Sequence, residues 1–182
     1  MKILAQNQKF AMQTMNNCSW FMQRKLLTIL SLLFWPTIGC GAGEIPPEHQ
    51  SFFALPSTQQ HKALSKQTLE NQIDIYVLAV TKFRPADYGL GFSDHIAAHG
   101  KVAIPMLTAR LRTDPNEANR WALIHVFRDM VKFHYDFRDE KDTVQVLKEV
   151  VSSMKGPFYR EESERLLKEI LSEPKKEGAR VP

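Results

Sequence analysis

Apolar residues recur every three or four positions along most of the chain beyond residue 65, which is the spacing of one face of an α-helix. No strand-like alternation of apolar and polar residues competes with this pattern. We therefore predict an all-α domain of about six helices in antiparallel hairpins, which start near Lys66, Gly100 and Glu140. A short α-solenoid and an irregular helical bundle both satisfy the pattern.

The clearest hairpin lies between His99 and Met130, with Asp114 and Pro115 at its turn. Proline suits the first position of a helix, because the N–H that it lacks is not needed there. We therefore expect Asp114 to be the N-cap of the second helix. Glu117 is expected to reach back to the cap residue in a capping-box arrangement.

This hairpin resembles a HEAT-like repeat in the segment 103–107, in Asp114-Pro115, and in Arg120 six residues after Asp114. The resemblance covers about thirty residues and a single unit. It implies that Asp114 and Arg120 form a pair that ties stacked units together. The hairpins start roughly 34 to 40 residues apart, as in helical solenoids, although the outer two lack the Asp-Pro and Arg signature. A plain helical hairpin is the alternative.

The positive charge of the chain belongs to its first 39 residues, which hold four of the 24 basic residues and none of the 20 acidic ones. The remaining chain has 20 basic and 20 acidic residues and is formally neutral, so the pI near 9.1 reflects the leader. A neutral body has no basic footprint for nucleic acid, and we expect no nucleic-acid partner.

The leader has the composition of an export signal. An apolar run over 26–38 follows two basic residues and is short for a membrane span. The run ends at Gly39-Cys40, which resembles a bacterial lipobox, with Thr37 at a position where leucine is usual. The resemblance implies removal of residues 1–39 and diacylation of Cys40. The residue after Cys40 is Gly41 and not the aspartate that would resemble an inner-membrane retention signal. The outer membrane is therefore expected over the inner one.

Other interpretations of the leader stay open. Ordinary signal cleavage after Gly43 is one, since small residues also precede that bond, and an uncleaved anchor helix is another. Translation from Met22 would give a more compact leader.

The predicted domain organisation has four parts. Residues 1–39 form the signal peptide, 40–60 the lipid anchor and a proline-bearing tether, 61–173 the helical domain, and 174–182 a disordered tail. Phe52 and its apolar neighbours are expected to pack on the edge of the domain, with a partner-binding motif as the alternative.

The sequence contains few candidates for chemistry. His95 and His99 are four residues apart and would share one face of a helix, where two imidazoles can bind a metal ion. The zinc metalloprotease motif also needs a glutamate directly after the first histidine, and Ile96 stands there. We therefore predict no metal site and no cofactor, with His95 and His99 as weak candidates only. His125 lies among apolar residues and is expected to pack within a helix rather than to act as a base.

Arg120-Trp121 is a candidate partner-binding surface, since both residue types are frequent at binding hot spots, and core packing of Trp121 is the alternative. The leading hypothesis is a lipid-anchored, non-catalytic helical binding or scaffold module on the periplasmic side of a membrane. Its expected partner is an envelope protein or peptide. The alternatives are a metal-dependent hydrolase that uses His95 and His99, and a small inhibitor or immunity-type protein.

Overall fold

The computed structural model describes residues 45–83 and 87–175, and the predicted all-α class is confirmed there, because these residues form helices and turns without a strand. The helices are α1 (Pro47–Phe53), α2 (Ser57–Leu64), α3 (Leu69–Lys82), α4 (Asp87–Leu90), α5 (Ser93–Ala97), a 3-10 turn (Gly100–Val102), α6 (Ile104–Thr113), α7 (Glu117–Asp129), a π-helical turn (Met130–His134), α8 (Lys141–Ser153) and α9 (Pro157–Ser172).

The helical domain begins earlier than predicted. The supposed tether over 44–60 contains α1 and the start of α2, so the predicted domain start at residue 61 is wrong. Pro47 occupies the first turn of α1 and Pro56 directly precedes α2, positions where proline removes no helical hydrogen bond. Phe52 is buried in the core, so its predicted packing on the domain is confirmed.

Helix α3 is buried along one face and is held at its start by Thr68, whose hydroxyl accepts a hydrogen bond from the Asn71 amide. The buried Tyr76 hydroxyl donates to the Ala122 carbonyl oxygen at 2.8 Å and so joins α3 to α7. Helix α4 lies close against α3, since a β-carbon on Gly89 would come within 2.6 Å of the Val80 nitrogen. Only glycine permits this approach.

Helix α7 is the centre of the core. It packs against α3, α5, α6 and α9, and its buried residues point in several directions around the helix. Helix α6 packs against α8 and α7 packs against α9, so the pair α6–α7 lies beside the pair α8–α9. Both a solenoid and a bundle contain packing of this kind.

Polar contacts fasten α5 to the end of α7. The buried hydroxyl of Ser93 bonds to the carboxylate of Asp129. The next residue of α5, Asp94, places its Oδ1 2.6 Å from Nε2 of His134, in the π-helical turn that follows α7. These bonds hold the short helix α5 in place beside the longer helix.

Candidate protein-binding surface

The turn before α7 is built from side-chain hydrogen bonds of Asp114 and Asn116. Asp114 accepts from the Asn116 amide at 2.8 Å and from Asn119 Nδ2 at 2.9 Å. Asn116 Oδ1 accepts from the Ala118 amide at 2.9 Å, and Asn116 is the N-cap. The prediction that Asp114 caps α7 is therefore wrong. The Asp114 carboxylate is used inside the turn, and the helix begins only at Glu117.

Arg120 does contact Asp114, but through the backbone. Its Nε donates to the Asp114 carbonyl oxygen at 2.5 Å, and the Asp114 carboxylate has the other partners described above. A terminal nitrogen of Arg120 also lies 3.5 Å from Ser153 Oγ at the end of α8. The guanidinium therefore reaches from the turn of one helix pair to the next pair.

Glu117 has a partner that differs from the predicted capping box. Its two carboxylate oxygens accept from the backbone amides of Lys155 and Gly156, at 2.6 and 2.8 Å. These bonds favour the charged form and lower the pKa of Glu117. The carboxylate thus fastens the start of α7 to the junction between α8 and α9, which places the two helix pairs side by side.

Beside this junction lie three aromatic rings, which we call the aromatic surface: Trp121 on α7, and Phe158 and Tyr159 on α9. Ring centroids are 6.3 Å apart between Trp121 and Tyr159 and 5.3 Å apart between Phe158 and Tyr159. The side chain of Phe158 is 62% exposed, whereas Trp121 and Tyr159 are partly buried against the core. Trp121 therefore packs against the core and also forms part of the aromatic surface.

Polar groups are buried behind the aromatic surface. The indole nitrogen of Trp121, both ring nitrogens of His125 and the hydroxyl of Ser163 have no hydrogen-bond partner in the described part of the chain. Trp121 and His125 meet edge to face at 4.7 Å. Burial of the imidazole, assisted by the nearby charge of Arg128, lowers the pKa of His125 to about 4. His125 is therefore packed and neutral at pH 7, as expected from its apolar neighbours.

The two weak metal candidates, His95 and His99, have different hydrogen-bond partners. His95 Nε2 lies 3.0 Å from His61 Nδ1 on α2, while His99 Nε2 lies 3.1 Å from Gln72 Oε1 on α3. Among the described residues, no three His, Cys, Asp or Glu side chains are placed to share a metal ion. Each of these two histidines therefore takes part in a polar contact with another helix.

Sequence reasoning missed Phe158 and His61. A helical projection of α9 contains a signal for Phe158, because its position lies off the stripe formed by Leu166 and Ile170, which are buried. An exposed aromatic residue beside the start of a helix could have been identified from that projection. Nothing in the local sequence pairs His61 with His95, which is 34 residues away.

No protein-family model, curated protein or solved structure matches this chain. The predicted signal peptide and Cys40 lie outside the described residues. None of the described helices has the length and apolar character that crossing a membrane requires.

Proposed function

We propose that this protein is a lipid-anchored component of a bacterial cell envelope, and that its helical domain is a non-catalytic module that binds a protein partner through the aromatic surface. The observation that carries the binding proposal is the exposed ring of Phe158 in contact with Tyr159 and, through it, Trp121. Aromatic residues that are rigidly held and partly exposed are typical binding anchors.

The rigidity of this surface supports a role in binding. Pro157 starts α9 directly before Phe158, and the Glu117 bonds to the preceding two amides hold that start against α7. A surface that is already ordered loses little conformational entropy when a partner binds. An exposed phenylalanine on a frayed end would carry a larger entropic cost.

Charged groups surround the aromatic surface. Arg120 is next to Trp121 in the chain and its guanidinium lies over the end of α8, and the exposed Lys155 precedes the aromatic pair of α9. Glu117 is the nearest acidic group on α7, and the two backbone amides already engage its carboxylate. On α9 the exposed Glu161 lies one turn after Phe158, so charges of both signs surround the aromatic surface. The surface therefore fits a protein segment that presents an apolar side chain within a polar rim.

The envelope location rests on the leader. Arg24 and Lys25, the apolar run over 26–38, and Gly39 before Cys40 support export and lipidation. The neutral body offers no electrostatic attraction to an anionic membrane. Acyl chains on Cys40, each contributing about 0.8 kcal/mol per buried CH₂, would supply the membrane attachment.

Photo-crosslinking in intact cells tests the binding proposal. A photoreactive phenylalanine analogue at position 158 should give a discrete adduct with one envelope protein, because that ring is the exposed member of the aromatic surface. The partner is then purified, and its affinity is measured for the wild-type protein and for Phe158→Ala. A hot-spot residue should lose at least about 2 kcal/mol of binding free energy, which is roughly 30-fold in Kd.

The matched control is the same analogue at Val102, an apolar side chain that is 74% exposed on the 3-10 turn before α6. It should give no adduct of that size, and Val102→Ala should bind the partner normally. Equal adducts from positions 102 and 158, or an unchanged Kd for Phe158→Ala, would reject the aromatic surface as the binding site.

A further inference from the structure

His61 and His95 form a contact between two short helices that no local sequence signal predicts. His61 Nδ1 on α2 lies 3.0 Å from His95 Nε2 on α5. His61 is exposed to solvent and His95 is partly buried, so protons can reach the pair from water. The ring of His61 also packs edge to face on the buried Phe92, at 5.1 Å. The bond to His95 therefore holds the His61 ring against the buried ring of Phe92.

The two rings meet head-on. Their centroids are 5.3 Å apart and the two nitrogens 3.0 Å apart, a difference of 2.3 Å. That difference is close to two distances from ring centre to ring atom, so both nitrogens lie near the line that joins the centres. One nitrogen then donates along its bond axis and the other accepts with its lone pair. A zinc ion on that line would need the nitrogens about 4 Å apart, so the spacing fits a shared hydrogen and not a bridging metal.

The protonation states of such a pair have different contact energies. With both rings neutral, one N–H donates to the other nitrogen. With one ring cationic, the bond is charge-assisted and stronger. With both rings cationic, both nitrogens carry hydrogen, so the bond is lost and the two charges repel each other. As pH falls, the first proton therefore strengthens the contact and the second proton weakens it.

Among the described residues, Asp94 is the charged group besides His61 that influences the pKa of His95. Asp94 is next to His95 on α5, and its carboxylate lies 2.6 Å from His134 in the π-helical turn. On α2, Lys62 follows His61 and is exposed. Partial burial and the proximity of His61 lower the pKa of His95, while Asp94 raises it to a smaller extent. The second proton is thus taken up at a lower pH than an ordinary histidine requires.

We propose that His61 and His95 are a proton-operated latch between α2 and α5, which the first proton tightens and the second releases. Release frees the outer face of α2 and uncovers Phe92. The buried Leu64 and the bond between Gln60 and Tyr88 still hold the inner face, so the opening is local to α2. The sign follows from the lowered pKa of His95: the contact is kept above that pKa and lost as pH falls through it.

Histidine-selective NMR of the full chain between pH 8 and pH 4 tests the latch. The pair should take up two protons in separate steps, and His95 should titrate below pH 6.5, which is the ordinary histidine value. In His61→Gln the amide keeps a polar contact but binds no proton, so His95 should titrate in a single step at a higher pKa. Titration of His95 in one step at the ordinary value, unchanged by His61→Gln, would overturn the proposal.

Hydrogen exchange supplies a second measurement on the same samples. After correction for the intrinsic effect of pH, exchange of the amides in α2 should slow at the first step and rise about tenfold at the second, relative to α7. His99→Gln is the matched control, because His99 lies on the following turn and bonds to Gln72 instead. It should keep both steps. Exchange in α2 that follows α7 at every pH would also overturn the latch.

Discussion

Glu117 and Gly156 are in contact across 39 residues of chain: the Gly156 amide donates to a Glu117 carboxylate oxygen at 2.8 Å. A β-carbon on residue 156 would lie 2.6 Å from that same oxygen. The φ of Gly156 is −68°, an ordinary value for any residue, so a larger side chain here would conflict with the Glu117 carboxylate and not with the backbone conformation.

Gly156→Ala should therefore displace the Glu117 carboxylate and lower the free energy of unfolding, and Glu117→Gln should lower it through the same bonds. Because both variants break one contact, the double variant should be less destabilised than the two effects added together. Urea unfolding at pH 7 measures all three. Glu161→Gln, an exposed glutamate on α9, is the control and should be neutral. If the two losses of unfolding free energy add fully in the double variant, Gly156 and the Glu117 carboxylate do not act through one contact.

The Glu117 contact should also weaken in acid. Its folded pKa is lowered, so its contribution to stability is present above the unfolded pKa near 4.5 and is lost as pH falls through the folded value. The destabilisation by Glu117→Gln should therefore shrink as pH falls below 4.5. Unfolding free energies at several pH values check this, and an equal effect at pH 7 and pH 3 would contradict it.

Asn116→Ala should cost about 0.5–2 kcal/mol of stability, because Asn116 is the N-cap of α7. Asp114→Ala should cost a similar amount through the turn. Arg120→Ala should then be nearly additive with Asp114→Ala, since Arg120 bonds to the Asp114 carbonyl oxygen, which alanine keeps. Denaturant unfolding of the single and double variants decides. A coupling energy above about 0.5 kcal/mol would instead favour the side-chain pair that the HEAT-like resemblance implies.

His125 should make the protein sensitive to acid. The pKa of about 4 in the folded state, against 6.5 for an ordinary histidine, means that the unfolded chain binds the proton more tightly. The stability that comes from keeping His125 neutral is therefore complete above pH 6.5 and is lost between pH 6.5 and about 4, by about 3 kcal/mol at most. His125→Phe should reduce this loss, and His99→Gln should not. Thermal unfolding at a series of pH values measures it, and an acid response unchanged by His125→Phe would contradict the assignment.

Cys40 should carry the lipid. Wild-type protein should incorporate a palmitate analogue and fractionate with membranes, whereas Cys40→Ser should lose the label and remain as a precursor or as a soluble form cut near Gly43. Labelling and fractionation measure both outcomes. Wild-type protein that is unlabelled and free in the periplasm would reject lipidation and leave export intact.

The sequence by itself determined the fold class and most helix positions. The apolar spacing in α3, α6 and α9 is a local property that any helix must have to bury one face, so it can be counted without knowing the neighbours. The prolines, read from the sequence alone, are compatible both with a tether and with the start of a helix. Pro47 and Pro56 suggested a tether, but they stand where helices start, and only the burial of Phe52 in the core shows that this segment is folded.

The tertiary structure alone decided which polar groups meet. The spacing from Asp114 predicted a capping box for Glu117, but Asn116 is the N-cap and Glu117 is the first residue of α7. Glu117 bonds to Lys155 and Gly156 because α8 and α9 bring their junction to the start of α7. In the same way, His95 bonds to His61 rather than sharing a ligand with His99, because the fold brings the ring of His61 on α2 to α5. Such pairs depend on how helices pack, and helical spacing carries no information about contacts between residues distant in the chain.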